Sequence, residues 1–367
     1  MRAPAAAALA ASGLLAALPL EAADSYAWQL PPGFPQPAVP ADNPMSDAKV
    51  ALGRRLFFDP LLSVNGRYSC ASCHDPQRSF SDGRVVAVGA TGEQLPHNAL
   101  ALVNVAYNVS FGWSRPQVRS LESQMLEPML NRHPLELGLA GREASVCAAL
   151  AAEREYAAAF AAAFPPQSAA RQRAAGAVTF DHVVKAIAAF ERTLISGRSA
   201  FDRYVFSGEH AALGEPAKRG MALFFSRTIG CAGCHAGFNF AGNWRDAEGE
   251  TGRASFATNG TSATPMRVPT LRNIALTAPY MHDGRFGTLE EVIGHYSRLG
   301  GEAQAHHRRQ DPRLPRRPLS TSERAELIAF LTSLTDESFV QRFAARSSGR
   351  AVTERSAATQ PEAATEK

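Results

Sequence analysis

The sequence predicts a mainly α-helical chain of two similar domains that meet near residue 200. An internal duplication is the first reason. "GRRLFFDPLLSVNGRYSCASCH" (Gly53 to His74) resembles "GMALFFSRTIGCAGCH" (Gly220 to His235), each with G-x-x-L-F-F, a short connection and C-x-x-C-H. The second reason is an amphipathic helix after each copy. "VVKAIAAFERTLIS" sets Phe190 and Leu194 four apart, and "AELIAFLTSLTD" does the same with Phe330 and Leu334. A spacing of four puts each pair on one helical face. The repeating unit is therefore a helix, C-x-x-C-H, loops and a closing helix. At 367 residues the chain has material for a buried core in each copy.

In chain order, one Arg precedes an uncharged apolar run from Ala3 to Leu20, with small residues at Ala22 and Ala23. Residues 1–23 read as a secretory signal peptide, because the run is short and Ala-rich for a membrane anchor. Ala23 to Asp47 is Pro-rich ("LPPGFPQPAVPADNP") and reads as an extended arm on the surface. The first domain is expected over 24–200 and the second over 201–345. The tail 346–367 lacks large apolar residues and is expected to be disordered. No later segment is apolar enough to span a membrane. The net charge of +4, without a Lys/Arg-rich run, gives no reason to expect nucleic acid.

C-x-x-C-H can hold a zinc ion, a redox disulfide or a haem. A zinc site needs a second Cys/His pair close by, and neither motif has one. A thioredoxin-like motif opens a helix in a βαβ unit and does not normally carry His directly after it. Haem c attachment explains all three residues: two thiols add to the vinyl groups and the next imidazole meets the iron. Export agrees, since bacteria attach c-type haem outside the cytoplasm. Two haem c groups are expected, on Cys70, Cys73 and His74 and on Cys231, Cys234 and His235, in two cytochrome c-like domains. Cys147, in "ASVCAALAAERE", is expected to be an inert buried thiol.

"RVPTLRNIALTAPYMHDGRFGTLEEVIGHYSRLGG" (Arg267 to Gly301) resembles the C-terminal domain of bacterial di-haem cytochrome c peroxidases and MauG-type enzymes. The resemblance runs from about Pro44 to Phe339. It implies that the first haem meets peroxide and the second exchanges electrons. The residues alone leave Tyr296, Met281 and His282 open as distal ligand to the second iron. The family places that ligand seventeen residues after the proline of a T-x-P element, which from Pro279 is Tyr296. The common peroxidases carry Met there and MauG-type enzymes Tyr. A hard anionic phenolate stabilises Fe(III) and higher states; a thioether favours Fe(II). The common peroxidases also carry a blocking histidine about sixteen residues past the first motif; here that position is Ala90. An open first haem is the expectation.

The resemblance further assigns proton handling to Glu136 and Gln124 within "WSRPQVRSLESQMLEPMLNRHPLELG" (Trp113 to Gly138), with Glu127 the competing carboxylate. It makes Trp113 an electron relay between the haems and Asn98, Thr277 and the Pro279 carbonyl the ligands of a Ca²⁺ ion. All three offer hard oxygen donors. MauG has a Trp just ahead of its second motif; this chain has Ile229, and Trp244 is the substitute candidate. "LVNVAYN" (Leu102 to Asn108) and the Pro-rich arm resemble a sister group, the MbnH-like enzymes, which oxidise tryptophan on a partner protein. The implied function is a periplasmic di-haem enzyme that uses hydrogen peroxide to form high-valent haem iron and oxidise tryptophan, or a similar residue, of a partner protein. The alternatives are a cytochrome c peroxidase fed by a small cytochrome or cupredoxin, and a non-catalytic electron carrier with both irons closed.

Overall fold

The computed structural model describes residues 26–165, 178–242, 253–254, 266–299 and 315–347. The signal peptide, Trp244 and the tail from 348 lie outside the described residues. Secondary structure is mainly helical, as expected, with one two-stranded ribbon of β1 (Arg253–Ala254) and β2 (Met266–Arg267). The helices of the first unit are α1 (Asp47–Phe57), α2 (Leu121–Leu130), α3 (Glu143–Ala152), α4 (Arg154–Ala163) and α5 (Phe180–Arg192). Those that follow are α6 (Ala200–Phe206), α7 (Glu215–Phe225), α8 (Leu289–Leu299), α9 (Thr321–Thr332) and α10 (Glu337–Ser347). Local chemistry sets their starts. Ser46 and Thr179 accept backbone N–H groups at the heads of α1 and α5, and Ser199/Asp202 and Ser320/Glu323 form capping boxes on α6 and α9.

The duplication is visible in how the helices pack. Gly53 of α1 lies so close to α5 that a Cβ would overlap the Ala186 carbonyl; Gly220 of α7 meets the Glu326 carbonyl of α9 in the same way. The glycine in each G-x-x-L-F-F repeat is thus the point of closest approach between opening and closing helices. Two apolar clusters result. One gathers Leu56, Phe57, Phe80, Ile187, Phe190 and Leu194, and the other Phe224, Phe240, Leu327, Phe330 and Leu334.

The chain crosses between the units at both ends. Phe339 and Phe343 of α10, expected with the second unit, belong to the first cluster and pack on Phe80 at 5.9 and 5.4 Å between ring centroids. The Pro-rich arm does more than lie on the surface. Phe34 is buried between Phe238 (4.8 Å) and Tyr107 (6.0 Å), under the Arg272 guanidinium at 4.8 Å, and the Tyr107 hydroxyl donates to the Pro35 carbonyl (2.9 Å). Arg272 is fully buried and pairs with both Asp202 oxygens, at 2.7 and 2.8 Å. An arginine taken this far from water needs such bidentate pairing.

Gly220→Ala is expected to push α7 off α9 and destabilise the protein by about 1–3 kcal/mol, the usual range for overpacking. Guanidinium unfolding of the haem-loaded protein checks this; an unchanged midpoint would show that the close approach is not needed.

Candidate active site

In the first motif, Cys70–Ser72 forms a 3₁₀ turn in which Ser69 N–H donates to Ser72 Oγ (3.0 Å). The turn continues with His74 N–H bonded to the Cys70 carbonyl (3.0 Å). The chain then reverses through Ser79 and Phe80, both in the left-handed region (φ 55° and 62°), so that the Phe80 carbonyl meets His74 Nδ1 at 2.9 Å. The second motif repeats this: Phe240 (φ 48°) presents its carbonyl to His235 Nδ1 at 3.1 Å. With Nδ1–H donated to a carbonyl, Nε2 carries the lone pair, the state a metal requires. Burial holds both imidazoles below the usual histidine range, His235 at about 4, so both are neutral. None of the four motif cysteines is in a disulfide. Unpaired cysteines flanking a neutral imidazole with a fixed tautomer fit covalent haem at both motifs. Cys147 is also free, half-buried on α3.

A cavity of about 270 Å³ opens beside the first motif. Cys70, Cys73 and His74 form one part of its wall, and Gln124, Glu136, Trp113 and Met129 are among the others. Gln124 comes from α2, where Pro128 four residues later removes the helical donor its carbonyl would otherwise have. Its side-chain Oε1 is buried without a hydrogen-bond partner in the protein. Glu136 follows α2 on a loop, and burial, reinforced by Glu127, raises its pKa to about 7. Glu127 itself is engaged, accepting from Arg115 at 2.7 Å. Of the two carboxylates that compete in the sequence, Glu136 is the one without a cation bonded to it. Ala90 does not line the cavity but is bonded to the segment that does. Its N–H donates to the Glu136 carbonyl (2.7 Å) and its carbonyl accepts from Asn65 Nδ2 (2.6 Å).

Trp113 lines this cavity and also a second, smaller one of about 60 Å³. Its Nε1–H donates to the Asn98 carbonyl (2.7 Å), and its own carbonyl accepts from Arg267 N–H (2.8 Å). The smaller cavity brings together Asn98, Thr277 and Pro279, the three residues expected around calcium, with Met281 beside them. Asn98 Nδ2 donates to the Arg84 carbonyl (2.6 Å), which aims Oδ1 the other way, as a cation ligand would need. The donors there are neutral oxygens. Among the described residues no group of three or more His, Cys, Asp or Glu side chains could hold a metal ion. His282 lies with its ring 6.3 Å from Trp113 and 5.7 Å from His97.

Tyr296 is half-buried on α8. Leu289 and Ile293, seven and three residues before it, share its face of the helix and pack into the cluster that includes Cys231 and Ala232. That face is therefore the one turned towards the second motif.

Two cavity residues escape sequence reasoning. Glu191 lines the first cavity from α5, and burial raises its pKa to about 8. A glutamate on the apolar face, beside Phe190, was the available signal. Arg267 reaches the same cavity from the second unit and is 7% exposed.

A duplicated helical unit with two C-x-x-C-H motifs, one beside a cavity lined by Gln124 and Glu136, defines the class: a two-domain c-type cytochrome. A family model described as di-haem cytochrome c peroxidase matches residues 47–211. The methylamine utilization protein MauG of Methylorubrum extorquens is 36% identical over 319 residues, covering 84% of each chain. Cytochrome c551 peroxidase of Nitrosomonas europaea is 30% identical, over 82% of this chain and 83% of that one. A crystal structure of a MauG-like protein associated with microbial copper homeostasis superimposes with TM-score 0.73 at 35% identity, covering 86% of this chain and 97% of that one. The chain belongs to the di-haem cytochrome c peroxidase family. It is a di-haem oxidoreductase that takes peroxide as its oxidant, and its family implies two haem c groups.

Glu191 has a raised folded pKa, so between an unfolded value near ~4.3 and its own value of about 8 the folded protein holds the extra proton. Stability must then fall as pH rises through that window. Unfolding midpoints from pH 5 to 9 are expected to decline for the native protein and to decline less for Glu191→Gln. Parallel slopes would show that Glu191 ionises normally.

Proposed function

We propose that the protein is a periplasmic enzyme in which hydrogen peroxide reacts at the His74 site and electrons are drawn, through the His235/Tyr296 site, from tryptophan or a similar residue of a partner protein. The apolar leader over residues 1–23 supports export. The observation that carries the reading is the cavity beside His74, which Gln124 and Glu136 help to line. Ala90 stands where the common peroxidases have a blocking histidine, and its backbone is bonded into the segment that holds Glu136. Peroxide then needs no prior displacement of a side chain at that position.

Haem held by Cys70, Cys73 and His74 and by Cys231, Cys234 and His235 would supply the two-electron redox chemistry that peroxide reduction needs. The protein supplies the protons and the geometry. Glu136, with a pKa of about 7, is partly ionised at neutral pH. Its carboxylate takes the proton from the nearer peroxide oxygen and returns it to the farther one, which leaves as water. Gln124 Oε1, unpartnered in the protein, accepts the remaining peroxide O–H and orients the molecule. With two electrons and two protons from outside, each peroxide yields two waters.

Trp113, lining both cavities, carries electrons between the sites. Ca²⁺ held by Asn98 Oδ1, Thr277 and the Pro279 carbonyl would fix the segment whose carbonyl receives the Trp113 N–H. Tyr296 as an anionic oxygen ligand favours the more oxidised state of the second iron. The similarity to MauG and to a MauG-like protein supports this reading over a peroxidase that consumes a small cytochrome's electrons.

The ferric resting protein is expected to show one high-spin and one low-spin haem by electron paramagnetic resonance, and to react with peroxide without prior reduction. Two low-spin haems would reject the open site; a need for pre-reduction would favour the cytochrome c peroxidase. Glu136→Gln is expected to slow the peroxide reaction by about 10²–10⁴-fold. Tyr296→Phe should abolish the native low-spin signal. A variant that retains that signal removes Tyr296 from the second iron. Mass spectrometry of proteins captured by Glu136→Gln, then treated with native enzyme and peroxide, should find oxidised tryptophan.

A further inference from the structure

The duplicated asparagines Asn104 and Asn273 sit at equivalent places. Each is left-handed (φ 55° and 58°) and opens a 3₁₀ turn, Val105–Tyr107 and Ile274–Leu276. Each donates its N–H to the last leucine of its own closing segment: Asn104 to the Leu194 carbonyl (2.8 Å) and Asn273 to that of Leu334 (3.1 Å). Each Oδ1 accepts the N–H two residues beyond that leucine, Ser196 and Asp336, both at 2.8 Å. What remains is the Nδ2 donor: that of Asn104 gives one hydrogen to the Ser196 carbonyl of its own unit (2.9 Å), and in both cases Nδ2 crosses to the other unit. Asn273 Nδ2 donates to Ser79 Oγ (2.9 Å), and Asn104 Nδ2 donates to Asn239 Oδ1 (3.0 Å).

Ser79 and Asn239 are the residues immediately before Phe80 and Phe240, whose carbonyls accept Nδ1 of His74 and His235. The two crossings join through Ser196, whose Oγ donates to Asn273 Oδ1 (3.2 Å) while its N–H serves Asn104. One connected network of hydrogen bonds and short backbone steps thus runs from the loop that grips His74 to the loop that grips His235. Ser79, Asn104, Ser196, Asn239 and Asn273 are all fully buried. Water does not compete for these bonds, and a displaced member leaves a buried polar group unmatched.

We infer that this network couples the two sites on their histidine side, separately from Trp113. Asn273 positions the peptide that orients His74, and Asn104 the peptide that orients His235. Each unit therefore sets how strongly the other unit's imidazole donates to its iron, because the Nδ1–H···O=C bond governs the basicity of Nε2. The left-handed phenylalanine and serine residues are conformations that bulky side chains adopt only when neighbours enforce them. The crossing bonds supply that enforcement. These asparagines are positioning residues, and the inference rests on haem binding at both motifs as proposed above.

The test uses the haem-loaded enzyme and no turnover. Resonance Raman of the ferrous protein reads the iron–histidine stretch of the first haem, and paramagnetic resonance g-values read the second. Asn273→Ser, a change in the second unit, is expected to lower the first haem's stretch and leave the second haem's g-values in place. Asn104→Ser is expected to move those g-values and leave the stretch. Shifts confined to the haem of the substituted unit, equal at both haems or absent would overturn the inference. If an asparagine variant fails to load haem, Ser79→Ala removes only the hydroxyl, and an unchanged stretch there would overturn it equally. Should the native first haem prove low-spin, the function proposed above fails, while the crossed pattern is still read from two sets of g-values.

Discussion

The bond from each proximal histidine to a backbone carbonyl is the constraint on which the site geometry depends. His74 Nδ1 must find the Phe80 carbonyl and His235 Nδ1 that of Phe240, or Nε2 is not free and aimed. To bring a carbonyl back onto an imidazole within five or six residues, the chain must turn through left-handed positions. Those positions are disfavoured for phenylalanine, and burial compensates. Phe80 packs among Phe57, Phe339 and Phe343, and Phe240 among Phe201, Phe224 and Phe330. The aromatic clusters thus hold the ligand loops as well as the helices. It also follows that α10 returns to the first unit, since two of the rings on Phe80 come from it.

On that shared frame the two motifs differ in the elements packed beside them. The first is furnished from α2 and the loop after it, with Gln124 and Glu136 in a cavity of about 270 Å³. The second is faced by α8. The Glu122–Arg192 pair, at 2.8 and 2.9 Å, ties α2 to α5 two residues from Gln124 and one from Glu191. Asn43 of the N-terminal arm donates to the same Glu122 carboxylate (2.7 Å) and accepts from buried Lys49 (3.0 Å). The arm is therefore anchored at α2 and, through Phe34, against the second unit. Charge pairing, not apolar packing alone, registers the cavity wall that Gln124 and Glu191 line.

How much of this was legible depended on whether the signal was local. The two motifs, the G-x-x-L-F-F repeats and the closing helices are contiguous strings, and they sufficed for the helical, duplicated fold. The contribution of Gly53 and Gly220 is visible in the repeat, but its reason, a carbonyl on the facing helix, is not. Glu191 stood out only as one charge beside apolar Phe190, and which cavity it enters is not visible until the helices pack. Return of α10 to the first unit could not be read, because Phe339 and Phe343 carry no mark of which cluster they enter. The crossing of Asn104 and Asn273 is of the same kind: "LVN" and "LRN" announce equivalent turns, while the partner of each side chain lies in the other copy.

As the proposed relay, Trp113 would have its chemistry shaped by the interface around it. Its N–H donates to the Asn98 carbonyl, a neutral acceptor that cannot take the proton. An electron leaving the indole therefore leaves a positive charge on the ring. The cost of that charge depends on what surrounds it. His282 has its ring 6.3 Å away and His97 lies beyond it; burial lowers the pKa of both, so neither adds a cation at neutral pH. A protonated imidazole at that distance would raise the energy of the oxidised indole by Coulomb repulsion, more strongly in the low dielectric between two packed units than in water. In the proposed function, then, burial of two histidines at the seam keeps Trp113 oxidisable.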